Sequence, residues 1–194
     1  MAVKKQWYDI VAPKLFGERV IGETLSSDPK TLIGRKVEVS LLDIAKDFQK
    51  FYIKLLFQIE RVEGSKAYTV FVGHDCLRER IYRMVQRRSR RVDVIQDVRT
   101  KDGVQLRVKT VFVIIRRVNT SIKGACRTKA RELINDTISN ATVDEYVQML
   151  IAGELQANIR KACNKISPIG NVEIRKSEIT LERKKEQPVE VAAE

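Results

Sequence analysis

Leu77-Arg78-Glu79-Arg80-Ile81-Tyr82-Arg83-Met84-Val85-Gln86-Arg87-Arg88-Ser89-Arg90-Arg91 opens the stretch, continuing to Arg117, around which this chain is organised. Leu77, Ile81, Met84 and Val85 fall at helical spacing and make one apolar stripe, so Tyr82 and Met84 read as core neighbours. Arg80, Arg83, Arg87 and Arg91 recur every three or four residues, which raises their guanidinium groups from a second face of the same helix. Asp75 stands where its carboxylate can cap that helix. From Val92 the period changes: residues 92–99 read as a strand, Lys101-Asp102-Gly103 as a turn, and residues 104–115 as a second, long strand closed by Arg116-Arg117. A basic helix feeding a basic-edged hairpin concentrates like charges that repel one another, a cost that a polyanionic partner would remove.

Working outward, the first residues mix basic and aromatic side chains, and Pro13 argues against a continuous helix there. Residues 1–17 are expected to form an N-terminal arm, in which Trp7, Tyr8 and Phe16 act as packing anchors rather than base-stacking platforms. Residues 19–25 form a candidate strand, and Ser26-Ser27-Asp28-Pro29 is a loop. Residues 34–42 alternate, with Val37, Val39 and Leu41 opposite Lys36, Glu38 and Ser40. Residues 51–62 point Ile53, Leu55, Phe57 and Ile59 one way. After the Glu63-Gly64-Ser65 turn, residues 66–73 return with Tyr68, Val70 and Val72 on one side, a hairpin.

Beyond the two hairpins the pattern becomes helical. Residues 119–138 carry Ile122, Cys126, Ala130, Leu133, Ile134 and Thr137 on one stripe, with Lys123, Arg127 and Arg131 stepping along another at i, i+4 and Lys129 beside them. Thr142 and Glu145 have capping-box spacing ahead of Val143, Tyr146, Val147, Leu150 and Ile151. Gly153 ends or bends that helix, residues 155–166 form a third, and after Ser167-Pro168 residues 172–181 alternate as a last strand bearing Arg175 and Lys176. The fold class is therefore α+β: an antiparallel, barrel-like β-sheet flanked by several helices, with N- and C-terminal extensions. Closure into a barrel would remove the edges of strands this long. A single α+β RNA-binding domain is expected over residues 18–181, followed by a disordered tail at 182–194 that is charged and then rich in Pro, Val and Ala.

Composition bounds the function. A chain of 194 residues with 43% hydrophobic content suits one domain with a substantial core. Lys and Arg number 37 against 25 Asp and Glu, so the net charge of +12 points to nucleic acid or an anionic surface as company. Lys4 and Lys5 have no apolar signal core behind them, and the longest purely apolar run, Val111-Phe112-Val113-Ile114-Ile115, is far too short to span a bilayer. No membrane partner is expected. Cys76, Cys126 and Cys163 are odd in number and lack any CxxC, as befits reduced buried thiols in an intracellular protein. His74 is the only histidine, no ligand spacing suits zinc, and no GxGxxG or P-loop is present, so neither metal, cofactor nor small-molecule substrate is expected. Glu60, Glu63, Asp93 and Asp97 could serve a nuclease only if brought together. Their default role is as salt partners of the surrounding arginines, and no enzyme is expected.

Several blocks carry a family resemblance. Trp7-Tyr8-Asp9-x-x-Ala12-Pro13-x-x-Phe16 and Ile21-Gly22-x-Thr24 open it, and Gly34-Arg35-x-x-Glu38-Val39-Ser40-Leu41-x-Asp43 continues it. Val94-x-x-Asp97-Val98-x-Thr100-x-Asp102-Gly103, Arg116-Arg117-x-Asn119 and Ile166-x-Pro168-Ile169-x-x-Val172-x-Ile174-Arg175-Lys176 follow in order. Together these resemble the S-three-a family of small-subunit ribosomal proteins (e-type small-subunit protein one), in its archaeal form. The loops and C-terminal tail are short, so contacts made by eukaryotic extensions are not carried over. The resemblance implies a structural protein of the cytoplasmic ribosome, on the small-subunit platform near the messenger exit. Its partners would be small-subunit ribosomal RNA and neighbouring platform proteins, with messenger RNA nearby.

RNA of that kind is held mainly through phosphates and shape, because the A-form major groove is too narrow for side chains. Arginine offers phosphate oxygens a planar fork. The expected RNA-binding residues are Arg80, Arg83, Arg87, Arg88, Arg90 and Arg91, then Arg116, Arg117, Lys123, Arg127 and Arg131, with Lys4 and Lys5 at the N-terminus. The alternative is a free single-strand RNA-binding protein, which calls for aromatic rings exposed on its sheet. The strand aromatics Phe57 and Tyr68 read as buried instead.

Overall fold

Alternating apolar and polar residues build long strands through most of the chain, and a 3.6-residue period builds helices between residues 120 and 164. The computed structural model describes residues 5–45 and 47–180. Its strands are β1 (Gln6–Val11), β2 (Val20–Ser26), β3 (Lys36–Ser40), β4 (Ile53–Glu63), β5 (Lys66–Cys76), β6 (Arg90–Arg99), β7 (Gln105–Ile114) and β8 (Ile169–Thr180). The α-helices are α1 (Leu41–Ala45), α2 (Arg78–Met84), α3 (Thr120–Ser139), α4 (Val143–Ala152) and α5 (Glu154–Asn164). This is the expected α+β class. Lys4 and the 182–194 tail lie outside the described residues.

The sheet is built on β5. The β4–β5 hairpin turns at Gly64, whose φ of +60° suits glycine, and β3 lines the far edge of β4. The other edge of β5 is shared. Lys66–Tyr68 pair with β1, which continues to β2, while Gly73–Asp75 pair with β8, which continues to β7 and β6. The sheet therefore forks at β5 and does not close into the expected barrel. Nor is it wholly antiparallel: β1 and β5 run parallel, which the long intervening crossover permits. Gln6–Val11, within the expected arm, thus form a strand of the sheet.

Of the edges that the open sheet leaves, the one at β6 is flanked by a helix. The twenty residues of α3 and the ten of β6 both extend about 30 Å. They lie side by side, and Arg127 Nε donates to the Asp93 carbonyl of β6 at 3.3 Å.

The joint between the two halves rests on a glycine and a histidine. A Cβ on Gly73 would overlap the Ser177 carbonyl of β8, so only glycine lets the strands approach. Next to it, buried His74 lies 3.0 Å from the Ile174 carbonyl through Nε2 and 2.5 Å from Ser177 Oγ through Nδ1. A carbonyl only accepts, so Nε2 carries the proton and Nδ1 accepts from the Ser177 hydroxyl. Burial pushes the histidine pKa down to about 4.

One face of the sheet meets the layer formed by α3, α4 and α5. Val92, Val94, Leu106, Val108, Phe112 and Ile174 pack there against Cys126, Ala130, Ile134, Tyr146, Leu150 and Ile159. Thr142 and Glu145 close the capping box anticipated for α4, and Gly153 at φ +87° ends it. On β4 the inward set is as expected; on β5 the first half buries Ala67, Thr69 and Phe71 instead, with Tyr68 and Val70 half-exposed, while Val72 of the expected face is buried. Tyr8 is buried and Phe16 sits edge-on to Phe57 at 5.5 Å, whereas Trp7, expected to pack, is 63% exposed.

The basic helix is shorter than its periodicity suggests. It ends at Met84, and Arg90 and Arg91 belong to β6, where they pair with Ile114 and Val113. Continuing the helix would stack Arg87, Arg88, Arg90 and Arg91 on successive turns, and like charges at that spacing repel. The β6–β7 ladder offers the backbone a better arrangement. Asp75 does not cap α2 as expected; it stays in β5, paired with Lys54 and Lys176, and Leu77 occupies the cap position without a side-chain bond.

Candidate nucleic-acid interface

The register of β6 on β7 decides which cations meet. Because Arg90 lies opposite Ile114, the loop bearing Arg87 and Arg88 enters the sheet where Arg116 and Arg117 leave it. Ile115 N–H, donating to the Pro168 carbonyl at 3.1 Å, holds the start of β8 at the same end. Lys123 lies one turn before Arg127, whose hydrogen bond to Asp93 anchors the first half of α3 to β6. Two segments far apart in sequence thus converge on one end of the sheet. Arg131 lies a turn further along α3, and exposed Lys5 precedes β1, with β5, β8 and β7 between it and β6.

The cations divide by what they touch inside the chain. Arg80 is committed internally: its Nε and Nη2 donate to Glu173 Oε1 at 3.1 and 2.8 Å, and its guanidinium lies 4.6 Å over the Tyr52 ring. Tyr52 adds a hydroxyl bond to the same carboxylate at 3.2 Å. Burial, then the Glu173 charge, push its pKa up to about 12. Arg80 therefore clamps α2 onto β8. Arg91 donates to Asp93 Oδ1 at 2.7 Å through Nη2. Arg83, Arg87, Arg88, Arg90, Arg116, Arg117, Lys123, Arg127 and Arg131 reach no carboxylate within ion-pair distance among the described residues. All of these are exposed except the half-buried Lys123.

The open face of the sheet, opposite α3–α5, carries a second arrangement that linear reading does not show. Cross-strand pairing aligns Lys54, Asp75, Lys176 and Lys109 in one row over β4, β5, β8 and β7. Beside it Glu178 receives Lys176 at 2.6 Å and Lys109 at 3.1 Å, which hold its carboxyl below the usual range. Arg107 grips Asp97 through two hydrogen bonds of 2.6 and 2.9 Å. Asp93 and Asp97 are thus salt partners of Arg91 and Arg107, and no group of His, Cys, Asp and Glu able to hold a metal occurs among the described residues.

Between this face and α2 lies an open groove of about 620 Å³. Lys54, Arg78, Arg91, Lys109, Arg175 and Lys176 supply its positive charge, against Glu38, Asp75 and Glu79. Arg78, Lys109, Arg175 and Lys176 were not singled out as binding residues from the sequence, because their convergence depends on strand register. Tyr82, expected in the core, is 72% exposed and lines the groove, while Met84 is buried.

The profile of the ribosomal S3Ae family matches residues 2–183. A small ribosomal subunit protein eS1 of Methanococcus maripaludis is 41% identical over 97% of this chain and 85% of its own length. The eS1 proteins of Aeropyrum pernix and Methanothermobacter thermautotrophicus are 41% and 39% identical, over 90% and 91% of this chain and 84% and 90% of theirs.

Proposed function

The chain belongs to the ribosomal S3Ae family, and from that premise we propose that it binds small-subunit ribosomal RNA through arginine and lysine contacts to phosphate, on the platform of the subunit near the messenger exit. Its role is that of a structural ribosomal protein of the small subunit, not an enzyme. The observation that supports RNA binding is the meeting of Arg87, Arg88, Arg90, Arg116, Arg117 and Lys123 at one end of the sheet with no carboxylate in reach among the described residues. Arginine forks presented on a strand end and a helix start suit phosphate oxygens without reading bases. About six phosphates held this way give a log–log salt slope near −5 on a duplex. Neighbouring platform proteins and passing messenger are the further partners that the family resemblance implies.

Gradient sedimentation of lysate across rising salt tests the assignment. Stoichiometric travel with small subunits through a wash of about 0.5 M salt is expected of an integral component, whereas release at modest salt marks a peripheral factor held by phosphate contacts alone. Absence from subunits even at low salt would favour a free single-strand RNA-binding protein.

A further inference from the structure

Resting on the RNA-binding reading, we propose that the groove between α2 and the open sheet face holds an unpaired RNA strand, one base stacked on Tyr82 and its flanking phosphates on Arg78 and Arg175. Three features point there. The first is the exposed ring of Tyr82, which sits one residue beyond buried Ile81 on a helix clamped to the sheet by Arg80 and Glu173. A rigid support of this kind holds the ring as a stacking platform at little further entropic cost. The second is spacing: Arg78 precedes Tyr82 by one helical turn, so guanidinium and ring share one face of α2 and both line the groove.

The third is a β-bulge. On β7, Lys109 and Thr110 are adjacent, but their partners on β8 are Lys176 and Ile174, which leaves Arg175 as the extra residue without a partner. A bulge re-aims a side chain that regular pairing would constrain. Here Arg175 and Lys176 both line the groove although they are consecutive. Lys176 and Lys109 are balanced by Glu178, Arg91 by Asp93, and Lys54 lies 3.4 Å from Glu38. Arg78 and Arg175 have no carboxylate within ion-pair distance among the described residues. Both line the groove, and they are its two cations without such a partner. A duplex keeps its base faces stacked inside and its deep groove narrow, so only an unpaired base can reach the ring.

The test uses the full chain and two probes: a short mixed-sequence oligoribonucleotide carrying a fluorescent adenine analogue, and a blunt RNA duplex. Tyr82→Ala is expected to weaken single-strand binding roughly tenfold and abolish quenching of the analogue, with duplex binding unchanged and Tyr82→Phe restoring both. Arg78→Gln combined with Arg175→Gln is expected to flatten the single-strand salt slope by about 1.4, two phosphates at about 0.7 each. Unchanged single-strand binding by Tyr82→Ala, while Arg116→Gln with Arg117→Gln weakens both probes, would overturn the groove and leave the RNA reading standing. An acidic peptide of equal charge bound as tightly as the single strand would also overturn it. Failure of the unaltered chain to bind either RNA at moderate salt would bring down the RNA reading itself.

Discussion

Acidification should loosen this protein through a single side chain. His74 is the only histidine in the chain, and it bonds β5 to β8 with its ring buried between them. Its pKa, ordinarily near 6.5, is pushed down to about 4. Between those values the unfolded chain holds a proton that the folded chain refuses. Stability from this group is thus complete above pH 6.5, falls as pH drops towards 4, and changes no further below that. A shift of two and a half pH units amounts to about 3 kcal/mol over the whole window, and about 2 kcal/mol of that is lost between pH 7 and pH 5. Carboxylates titrate mostly lower: Asp97 and Glu178, held below their usual range by Arg107 and by Lys176, lose their contribution under more acid conditions. Urea midpoints of the free chain measured at several pH values from 7 to 5 should decline accordingly, while His74→Gln, less stable throughout, should be flat over the same range. An unchanged midpoint in the unaltered chain, an equal decline in the variant, or a His74 proton resonance titrating near pH 6.5 in the folded state would refute the reasoning.

The same joint should be sensitive to bulk. Gly73→Ala places a methyl group on the Ser177 carbonyl and should cost at least about 2 kcal/mol, read as a lower thermal midpoint. Arg80→Ala strips buried Glu173 of its charged donor and should cost about 2 kcal/mol in urea denaturation, with Arg80→Lys recovering only part because an ammonium lacks the two-pronged fork. Arg116→Gln with Arg117→Gln should leave the unfolding free energy, read from urea denaturation, within about 0.5 kcal/mol of the original, the usual range for surface changes. The same pair should reduce the salt slope of duplex RNA binding by about 2; an unchanged slope would remove these residues from the interface.

Much of the fold follows from local pattern. The alternation of Ile53, Leu55, Phe57 and Ile59 yields a strand with that set buried, and the stripe of Cys126, Ala130 and Ile134 yields a helix with that stripe inward. Thr142 and Glu145 act as a capping box. Each of these is settled within one or two turns of chain, where side-chain spacing and backbone geometry are coupled directly. The blocks from Trp7 to Lys176 also carried the family resemblance without any structure.

Tertiary pairing decided the rest. Helical spacing alone carries Arg87 and Arg91 onto α2, but the pairing of Arg90 with Ile114 recruits Arg90 and Arg91 into β6 and leaves Arg87 in the loop before it. Tyr82 and Met84 are two residues apart, and only the docking of α2 on β8, fixed by Arg80 and Glu173, turns one outward and the other in. The fork at β5, the parallel pairing of β1 and the bulge at Arg175 arise from hydrogen bonds between residues as many as about a hundred positions apart. No short window of sequence encodes such partners. The chain by itself therefore determined its elements, its positive charge and its family, because these depend on composition and near neighbours. Which cations meet, and which are already spent on carboxylates, was decided by strand register, because a slip of one residue sends a side chain to the opposite face of the sheet.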